Sequence, residues 1–321
     1  MSVAILGAGA FGTALAIALS EGGLDVTLYG RDADAMRTLA RTRKSPHLPD
    51  VAVPDGVAAT SDPADLGPAD IVLLCVPAQR LSAALGDHAG TLAGKPLVAC
   101  CKGIDIATLR GPTASIAAAV PSATPAILTG PSFATDIARG LPTALTLACR
   151  DDSTGVRLQS ALSTDTLRLY RTTDVTGAEL GGALKNVVAI ACGAAIGAGY
   201  GDSARAAVMT RGFAEMRRLA DALGADPETL TGLSGLGDLA LTCTSDQSRN
   251  YRYGRSIGAG SAFDGAITVE GAATAKSVVA LARSHDLDLP VAAAVAALVS
   301  GRITVETALQ TLISRPLKEE T

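Results

Sequence analysis

The sequence lacks an excess of basic residues. Its 27 lysines and arginines are fewer than its 31 aspartates and glutamates, which gives a formal net charge of -4 at pH 7. Because general binding to nucleic acids or to anionic membranes needs a basic surface, neither is expected as the activity of this chain. A local site for a single phosphate group remains compatible with the composition.

The sequence also lacks the ligand spacing of a metal site. Its cysteines form no CxxC pair and have no histidine at ligand spacing; they are Cys75, Cys100, Cys101, Cys149, Cys192 and Cys243. The histidines, His47, His88 and His285, lie outside every motif described below. We therefore expect no bound metal, and we interpret the cysteines as the reduced, buried thiols of a cytoplasmic protein.

No stretch has the composition of a secretory signal or the length of a membrane span. The first twenty residues carry no charged side chain, but they have no basic start, and Gly7, Gly9 and Gly12 interrupt the apolar run. The apolar runs near Val187 and Val291 are shorter than the roughly 18 residues of a membrane-spanning helix. With 48% apolar residues in 321, the chain is expected to be a soluble protein with packed cores.

The N-terminus carries a glycine pattern in the context that a dinucleotide site requires. A short apolar strand, Ser2 to Leu6, precedes Gly7-Ala8-Gly9-Ala10-Phe11-Gly12, and an amphipathic helix follows that ends near Gly22. The first glycine permits a tight turn, the second lets backbone N–H groups approach a pyrophosphate, and the third allows close packing of helix on strand. The pattern predicts a dinucleotide bound at the start of this helix.

The second predicted strand, Asp25 to Gly30, ends without the acidic residue that commonly holds the ribose hydroxyls of NAD. Arg31 follows it directly, and Asp32 is expected to cap the next helix. Arg31 is therefore a candidate for binding the 2′-phosphate of NADP or for stacking on adenine, and the alternative is an arginine in solvent. We expect NADPH or NADH as the cofactor and leave the preference open.

Further apolar segments alternate with helical ones as far as about residue 175. They are Ala69–Val76, Leu97–Cys101, Ala126–Thr129, Thr143–Cys149 and Thr166–Tyr170, and they predict a Rossmann-type doubly wound sheet of the α/β class. Lys102 stands at the carboxyl end of one strand, where open α/β sheets bind ligands. Ser132 is expected to cap the helix that follows it, with free N–H groups near Phe133 and Ala134.

From about residue 176 the pattern changes to helices separated by glycines, and no strand is predicted. We therefore divide the chain into a dinucleotide-binding domain, residues 1–175, and an all-helical C-terminal domain for substrate and catalysis, residues 176–321. Its start, Leu180 to Gly212, is a long apolar stretch in which Lys185 is the only charged residue before Asp202. Either Lys185 lies at a solvated helix edge, or it is partly desolvated, with a lowered pKa, and exchanges a proton with a substrate.

Six segments, in order along nearly the whole chain, resemble one enzyme family. They are Gly7–Gly12, Lys102-Gly103, Gly130–Ser132, Gly181–Asn186, Gly235–Asp238 and Ser248–Asn250. The chain resembles the bacterial NAD(P)-dependent glycerol-3-phosphate dehydrogenases, and the GGxxKN, GLGDL and SRN segments are more specific than the glycine fingerprint. The resemblance implies reversible hydride transfer from NAD(P)H to dihydroxyacetone phosphate, giving sn-glycerol 3-phosphate for glycerophospholipid biosynthesis.

The resemblance also implies roles for individual residues. Lys185 would be the catalytic acid and base, and the substrate contacts, besides Lys185, would be Lys102, Gly130, Ser132, Asn186, Asp238, Thr242, Ser248, Arg249 and Asn250, the last three around the phosphate. The cofactor contacts would be Gly7, Gly9, Ala10, Phe11, Gly12, Arg31, Lys102, Ala134, Arg249, Thr268 and Glu270. Ala10 replaces a polar residue of many relatives, and the sequence offers no physical reason for the Cys100-Cys101 pair before Lys102.

Two other functions are compatible with parts of the sequence. A β-hydroxyacid dehydrogenase shares the plan of sheet and helical domain but binds a carboxylate, whereas Lys102 and the Ser248–Asn250 segment favour a phosphate. A dinucleotide sensor without catalysis would have no use for Lys185 in an apolar helix. The sequence does not fix the oligomeric state, for which a homodimer is one expectation.

Overall fold

Strands and helices alternate over residues 1–172 of the computed structural model, which describes residues 1–314. The strands are β1 (Ser2–Leu6), β2 (Asp25–Tyr29), β3 (Lys44–Ser45), β4 (Leu48–Ala52), β5 (Val57–Thr60), β6 (Ile71–Leu74), β7 (Pro96–Ala99), β8 (Thr124–Thr129), β9 (Thr143–Cys149) and β10 (Leu167–Thr172). The helices are α1 (Ala10–Glu21), α2 (Ala33–Thr42), α3 (Ala78–Leu92), α4 (Pro112–Ala119), α5 (Ala134–Ala138) and α6 (Asp152–Leu162), with a 3₁₀ turn at Pro63–Leu66. We call residues 1–172 the sheet part.

The sheet part contains one eight-stranded sheet in the order β10-β9-β8-β7-β6-β1-β2-β5. β1 pairs in parallel with β2 on one side and with β6 on the other, so the strand order reverses beside β1. This reversal is the switch point of a doubly wound sheet, and the predicted fold class is confirmed. The sheet is mixed, however, because β8 and β9 are antiparallel and β10 runs with β9.

Three strands were not predicted. The hairpin of β3 and β4 lies outside the main sheet, and its longer strand, LPDVA, contains a proline and an aspartate and has no apolar alternation. β5 has four residues, VAAT, at the edge of the main sheet beside β2. Segments this short or this polar carry little periodicity, so pairing with a neighbour decides their conformation.

The turn between β1 and α1 requires glycine at two positions. Gly7 has a φ of 123°, a backbone conformation that residues with a side chain rarely adopt. A Cβ on Gly12 would overlap the carbonyl oxygen of Gly7, so the first turn of α1 packs directly on the end of β1. α1 ends at Glu21, and Gly23 with a φ of 85° leads the chain into β2, as the sequence predicts.

Only helices and turns occur between Val175 and Ser314, which we call the helical part. The helices are α7 (Val175–Gly197), α8 (Gly201–Ala222), α9 (Pro227–Thr231), α10 (Asp238–Thr244), α11 (Arg249–Gly258), α12 (Glu270–Ser284), α13 (Pro290–Leu298) and α14 (Val305–Ile313), with a π-helical turn at Leu233–Gly237. Most of the buried apolar side chains of this part form one core around α7.

α7 is the central helix of the helical part. Its length and hydropathy are those of a membrane-spanning helix, so the prediction that the apolar run near Val187 is too short was wrong. However, 83% of this stretch is buried inside the protein, as in the core helix of a globular fold. Four glycines bring α7 and α11 into backbone contact. A Cβ on Gly193 or Gly197 would overlap a carbonyl of α11, and one on Gly254 or Gly258 would overlap a carbonyl of α7. Side chains cannot separate these two helices, so the start of α11 has a fixed position relative to α7.

Candidate active site

A cleft of about 280 Å³ lies between the carboxyl ends of β1, β6 and β7 and the helices α7, α11 and α12. Of the residues named from the sequence, those that line it are Gly9, Ala10, Phe11, Lys102, Ser132, Lys185, Asn186, Thr242, Ser248, Arg249, Asn250, Thr268 and Glu270. The cleft therefore joins the glycine fingerprint of the sheet part to the motifs of the helical part, at the switch point where open α/β sheets bind ligands.

Lys185 lies in the middle of α7 and at the floor of the cleft. The residue is only 6% exposed, so the interpretation as a lysine at a solvated helix edge is wrong. Its ammonium group donates a hydrogen bond to Asp238 Oδ1 and another, of 2.9 Å, to Thr242 Oγ1. Both partners belong to α10, and a buried ammonium with two acceptors has a defined orientation.

Burial lowers the pKa of Lys185 to about 8. The carboxylate of Asp238 acts in the opposite direction, because a neighbouring negative charge favours the protonated form, and the ammonium of Lys102 adds to the lowering. The lowering of the pKa by burial agrees with the prediction of a partly desolvated lysine, whereas Asp238 was not predicted as the counter-ion. Lys185 can thus gain or lose a proton near neutral pH.

Asp238 connects Lys185 to Lys102. The Lys102 ammonium donates a hydrogen bond of 2.7 Å to Asp238 Oδ2 and one of 3.0 Å to the carbonyl oxygen of Gly130. Asp238 has 0% exposure, and each carboxylate oxygen accepts from one lysine. Asp238 therefore lies beneath the cleft, and the direct contact with substrate that was expected of it is not available. Gly130 does not line the cleft either, and its carbonyl oxygen accepts the hydrogen bond from Lys102.

The Ser248–Asn250 motif forms the beginning of α11. Ser248 caps this helix, because its Oγ accepts from the N–H of Tyr251 at 3.2 Å. Asn250 donates from Nδ2 to Asn186 Oδ1 at 2.9 Å and accepts at Oδ1 from the N–H of Gly271. The exposed Arg249 makes no hydrogen bond or salt bridge within the described part of the chain, and its guanidinium is available to a ligand in the cleft.

Ser132 does not cap the helix that follows it, contrary to expectation. The N-cap position of α5 is Phe133, which has no capping side chain, so the predicted boundary is one residue early. The Ser132 hydroxyl is buried and has no hydrogen-bond partner among residues 1–314. Buried hydroxyls are almost always bonded, and because Ser132 lines the cleft, its hydroxyl can donate to or accept from a ligand there.

The start of α1 fits the pyrophosphate of a dinucleotide. Gly9 is the N-cap, no side chain caps the helix, and a Cβ built on Gly9 would meet no atom within 4 Å. The first N–H groups of α1 therefore face open space with the positive end of the helix dipole behind them. Gly7 and Gly12 lie in the turn beneath and support it without lining the cleft.

Glu270 and Thr268 form the wall of the cleft beside α3. Glu270 accepts a hydrogen bond of 3.4 Å from the N–H of Ala78, and burial raises the pKa of its carboxyl, while the nearby Arg249 opposes that rise. Two expected cofactor residues lie elsewhere. The exposed Arg31 follows the end of β2, and Ala134 begins α5; neither lines the cleft. Asp32 caps α2 as predicted, accepting from the N–H groups of Asp34 and Ala35.

Several lining residues were missed in the sequence. Cys75, Val76 and Pro77 follow β6, and Gln247 precedes Ser248, whereas Phe133, near which the sequence predicted free N–H groups, also lines the cleft. The signal for the first three was available, since they end a predicted strand next to β1. No pattern in the sequence identifies Gln247.

The structure explains the Cys100-Cys101 pair, for which the sequence offered no physical reason. Both side chains are buried at the end of β7 and line the floor of the cleft. A hydrogen bond with the Cys75 thiol, followed by burial, raises the pKa of Cys100 well above its ordinary range, and burial does the same for Cys101. Both thiols are therefore neutral and serve as small apolar walls beside Lys102.

Comparison with known proteins gives consistent matches over nearly the whole chain. Residues 2–155 match the family model described as NAD-dependent glycerol-3-phosphate dehydrogenase N-terminus, and residues 174–310 match the model for the C-terminus. The glycerol-3-phosphate dehydrogenase [NAD(P)+] of Paracoccus denitrificans is 62% identical over 320 residues, with 100% of both chains covered, and that of Ruegeria sp. is 59% identical over 321 residues, with the same coverage. The crystal structure of glycerol-3-phosphate dehydrogenase from Coxiella burnetii superposes with a TM-score of 0.93 at 34% identity, covering 98% of this chain and 99% of that one.

Proposed function

Since the chain belongs to the NAD-dependent glycerol-3-phosphate dehydrogenase family, we propose that the cleft beside α7 is its active site and that Lys185 is the catalytic acid and base. The activity is that of an NAD(P)-dependent glycerol-3-phosphate dehydrogenase, a cytoplasmic oxidoreductase of phospholipid metabolism. The observation that carries the assignment is the buried ammonium of Lys185 at the floor of the cleft, oriented by Asp238 and Thr242.

Lys185 moves the proton of the reaction. In the reducing direction its Nζ gives a proton to the carbonyl oxygen of dihydroxyacetone phosphate, and in the oxidising direction the neutral amine takes the proton back. A pKa of about 8 suits both tasks, because general acids and bases work best when their pKa lies near the working pH. When bound, NAD(P)H supplies the hydride, and the protein contributes position, charge and exclusion of water.

Lys102 and Asp238 set the charge at the floor of the cleft. Two ammonium groups share one carboxylate, which leaves one net positive charge below the substrate. That charge favours a phosphorylated substrate and stabilises negative charge that develops on the carbonyl oxygen. Asp238 acts through the two lysines, since it has no exposed surface with which to touch a substrate.

The phosphate of the substrate is assigned to the beginning of α11. Arg249 offers a guanidinium without a hydrogen-bond partner among the described residues, and Ser248 and Asn250 flank it. A guanidinium group can bind a phosphate through two parallel hydrogen bonds. It can bind a carboxylate ligand in the same way, but not an uncharged ligand. Ser132 and Asn186, which also line the cleft, are proposed to hold the remaining oxygens of the substrate.

The dinucleotide is assigned to the switch point of the sheet. Gly9, Ala10 and Phe11 would hold the pyrophosphate through the N-terminus of α1, and Thr268 and Glu270 would contact the cofactor from the helical part. Arg31 and Ala134 remain proposed cofactor contacts beyond the cleft itself. With this arrangement, residues 1–175 form the dinucleotide-binding domain and residues 176–321 the catalytic domain, of which residues 315–321 lie outside the described chain.

A comparison of substrates tests this assignment. Oxidation of NADPH and of NADH by the purified protein is followed with dihydroxyacetone phosphate, with unphosphorylated dihydroxyacetone and with a small β-keto acid. Rapid oxidation with the phosphorylated ketone alone is expected. Equal activity with the β-keto acid would overturn the phosphate pocket, and cofactor binding without turnover of any substrate would overturn the role of Lys185.

A further inference from the structure

We infer that Gln247 is a further positioning residue of this enzyme, which holds the phosphate-binding end of α11 at a fixed distance from the sheet part through its hydrogen bond with Thr135. The inference rests on the proposed function, because it takes the beginning of α11 as the phosphate site. It adds two residues that no motif identifies and assigns them an effect on substrate binding.

The bridge joins the two sides of the cleft. Thr135 Oγ1 donates a hydrogen bond of 2.8 Å to Gln247 Oε1. Thr135 belongs to α5, directly after Phe133 and Ala134, while Gln247 lies in the turn between α10 and α11. Within residues 1–314, this is the only hydrogen bond between the segment 131–140 and the helical part.

The turn transmits the position of Gln247 to Arg249. The N–H of Gln247 donates to Ser245 Oγ at 3.2 Å, and the N–H of Ser248 donates to the carbonyl oxygen of Ser245 at 3.1 Å. Ser248 then caps α11, whose first residue is Arg249. Because these residues are consecutive in a hydrogen-bonded turn, restraining Gln247 restrains the backbone of Arg249 two residues later.

The other hydrogen bonds between the two parts involve different segments, among them the N–H of Thr113 in α4, which donates to Glu179 Oε1 at 2.6 Å. Lys102 bonds Asp238, Ala78 bonds Glu270, and Ser277 Oγ donates to the carbonyl oxygen of Ile104 at 3.1 Å. The last three involve the ends of β6 and β7 or the residues after them. Without the bridge of Thr135 and Gln247, residues 131–140 have no hydrogen bond to the helical part among the described residues, so the beginning of α11 loses its polar restraint against α5.

The carboxamide also leaves two donors unused. Gln247 lines the cleft, its Oε1 is occupied by Thr135, and its Nε2 forms no hydrogen bond with another described residue. A glutamate at this position would accept the same hydrogen bond from Thr135 but place a negative charge beside the phosphate. The two partners can therefore be altered separately: Thr135→Val removes the bridge and keeps the amide, whereas Gln247→Glu keeps the bridge and removes the amide.

The expected kinetic effect is on substrate binding. The bridge holds the phosphate group, which is bound alike in the ground state and the transition state, so its loss raises KM and leaves kcat nearly unchanged. Thr135→Val and Gln247→Ala are each expected to raise KM for dihydroxyacetone phosphate about 3- to 10-fold, the usual effect of one hydrogen bond. The double variant is expected to match the worse single variant, because both remove the same interaction.

The experiment measures kcat and KM of these variants with saturating NADPH, together with Gln247→Glu and a control, Thr210→Val. Thr210 is an exposed threonine of α8 whose hydroxyl bonds Ala206 away from the cleft, and its replacement is expected to change neither constant. Gln247→Glu is expected to raise KM more than Gln247→Ala, through repulsion of the phosphate. Thermal melting of each variant separates a loss of fold from a loss of binding.

Two results overturn the inference: an unchanged KM in both Thr135→Val and Gln247→Ala, or additive effects in the double variant. Arg249→Ala in the same assay distinguishes this failure from that of the proposed function. If Arg249→Ala abolishes the preference for the phosphorylated substrate while the bridge variants behave as wild type, the phosphate site stands and the bridge does not. If Arg249→Ala retains the preference, the phosphate site itself is wrong.

Discussion

The ammonium group of Lys185 donates a hydrogen bond to the carboxylate of Asp238, a side chain with no exposed surface. Burial alone would favour the neutral amine, and the Lys102 ammonium acts in the same direction, so Asp238 is what keeps Lys185 protonated up to a pKa of about 8. The two residues are separated by 53 positions in sequence and come from α7 and α10. Their pairing lets Lys185 gain or lose a proton near neutral pH, as the proposed role of acid and base requires.

Replacing Lys185 by methionine removes the proton donor and preserves the length of an apolar side chain. Lys185→Met is expected to lower kcat by roughly two to four orders of magnitude, the usual contribution of a positioned acid or base. Binding of NADPH, measured by fluorescence titration, is expected to remain close to that of the wild type. Lys276→Met, on the exposed face of α12, is the matched control. A Lys185 variant that retains more than about a tenth of kcat would rule out the assigned role.

Replacing Asp238 by asparagine is expected to shift the pH dependence of the reaction. Asp238 raises the pKa of Lys185, so its neutral analogue lowers that pKa further below about 8. Ketone reduction needs protonated Lys185, and kcat/KM for dihydroxyacetone phosphate therefore falls as pH rises through the pKa of Lys185. In Asp238→Asn this decline is expected at lower pH than in the wild type. An unmoved decline, in a variant whose melting shows an intact fold, would mean that another group controls it.

Arg249 tests the phosphate site. Arg249→Ala removes a charge-assisted and bidentate contact, and a decrease of about 30- to 1000-fold in kcat/KM is expected for dihydroxyacetone phosphate. Reduction of unphosphorylated dihydroxyacetone is expected to change little, because no phosphate is present to be bound. Arg249→Lys is expected to recover part of the activity, since it keeps the charge and loses the planar fork. Equal losses with both ketones would instead assign Arg249 to cofactor binding or to closure of the cleft.

Arg31 tests cofactor preference. The residue at the end of β2 is Tyr29, followed by Gly30 and Arg31, and Asp32 caps α2 through Oδ1. We expect Arg31→Ala to raise KM for NADPH more than KM for NADH, because only NADPH has a 2′-phosphate. Both values come from the same steady-state assay. If they rise equally, Arg31 does not interact with the 2′-phosphate.

Glu215, which lies outside the cleft, is expected to make the stability of the protein depend on pH. It is buried and accepts hydrogen bonds from the N–H groups of Val291 and Ala292 at the start of α13, yet burial raises its pKa from 4.5 to about 7. A native carboxyl with a raised pKa binds more protons than its unfolded counterpart between these two values, so the free energy of unfolding falls as pH rises from 4.5 to 7. A decrease on the order of 2 to 3 kcal/mol is expected from this group.

The Glu215→Gln variant isolates that contribution. Glutamine stays neutral at every pH and can still accept a hydrogen bond from one N–H group of α13. Urea unfolding of both proteins between pH 4.5 and 7 is expected to give a flatter pH dependence for the variant. Identical slopes would mean that Glu215 remains ionised in the native protein throughout this range.

The sequence predicts the fold well where one short segment carries all the information. β1, the glycine turn and α1 are local in sequence, and their geometry follows from Gly7 and Gly12. The change from an alternating pattern to helices near Val175 is equally local. The antiparallel direction of β9 cannot be predicted from a local segment, because strand direction depends on how the chain returns to the sheet and leaves no periodic pattern.

The same distinction applies to the site. Lys185 is recognisable because a single charge in an apolar stretch needs a reason, and Arg249 because it belongs to a motif. The bond between Lys185 and Asp238, and that between Thr135 and Gln247, join residues that are 53 and 112 positions apart. Residue type indicates what such groups can do, while only the packing of helices on the sheet determines which of them meet.

The glycine contacts between α7 and α11 fix the distance between the two helices that carry Lys185 and Arg249. Lys185 and Arg249 belong to two helices whose backbones touch at Gly193, Gly197, Gly254 and Gly258, so opening of the cleft leaves the backbone distance between the proposed proton donor and the proposed phosphate-binding residue unchanged. If the two residues act as proposed, ketones with a longer or shorter chain between carbonyl and phosphate are expected to reach only one of them at a time. We therefore expect that accepting such ketones requires a phosphate-binding residue on another helix, because widening the cleft does not change the distance between α7 and α11.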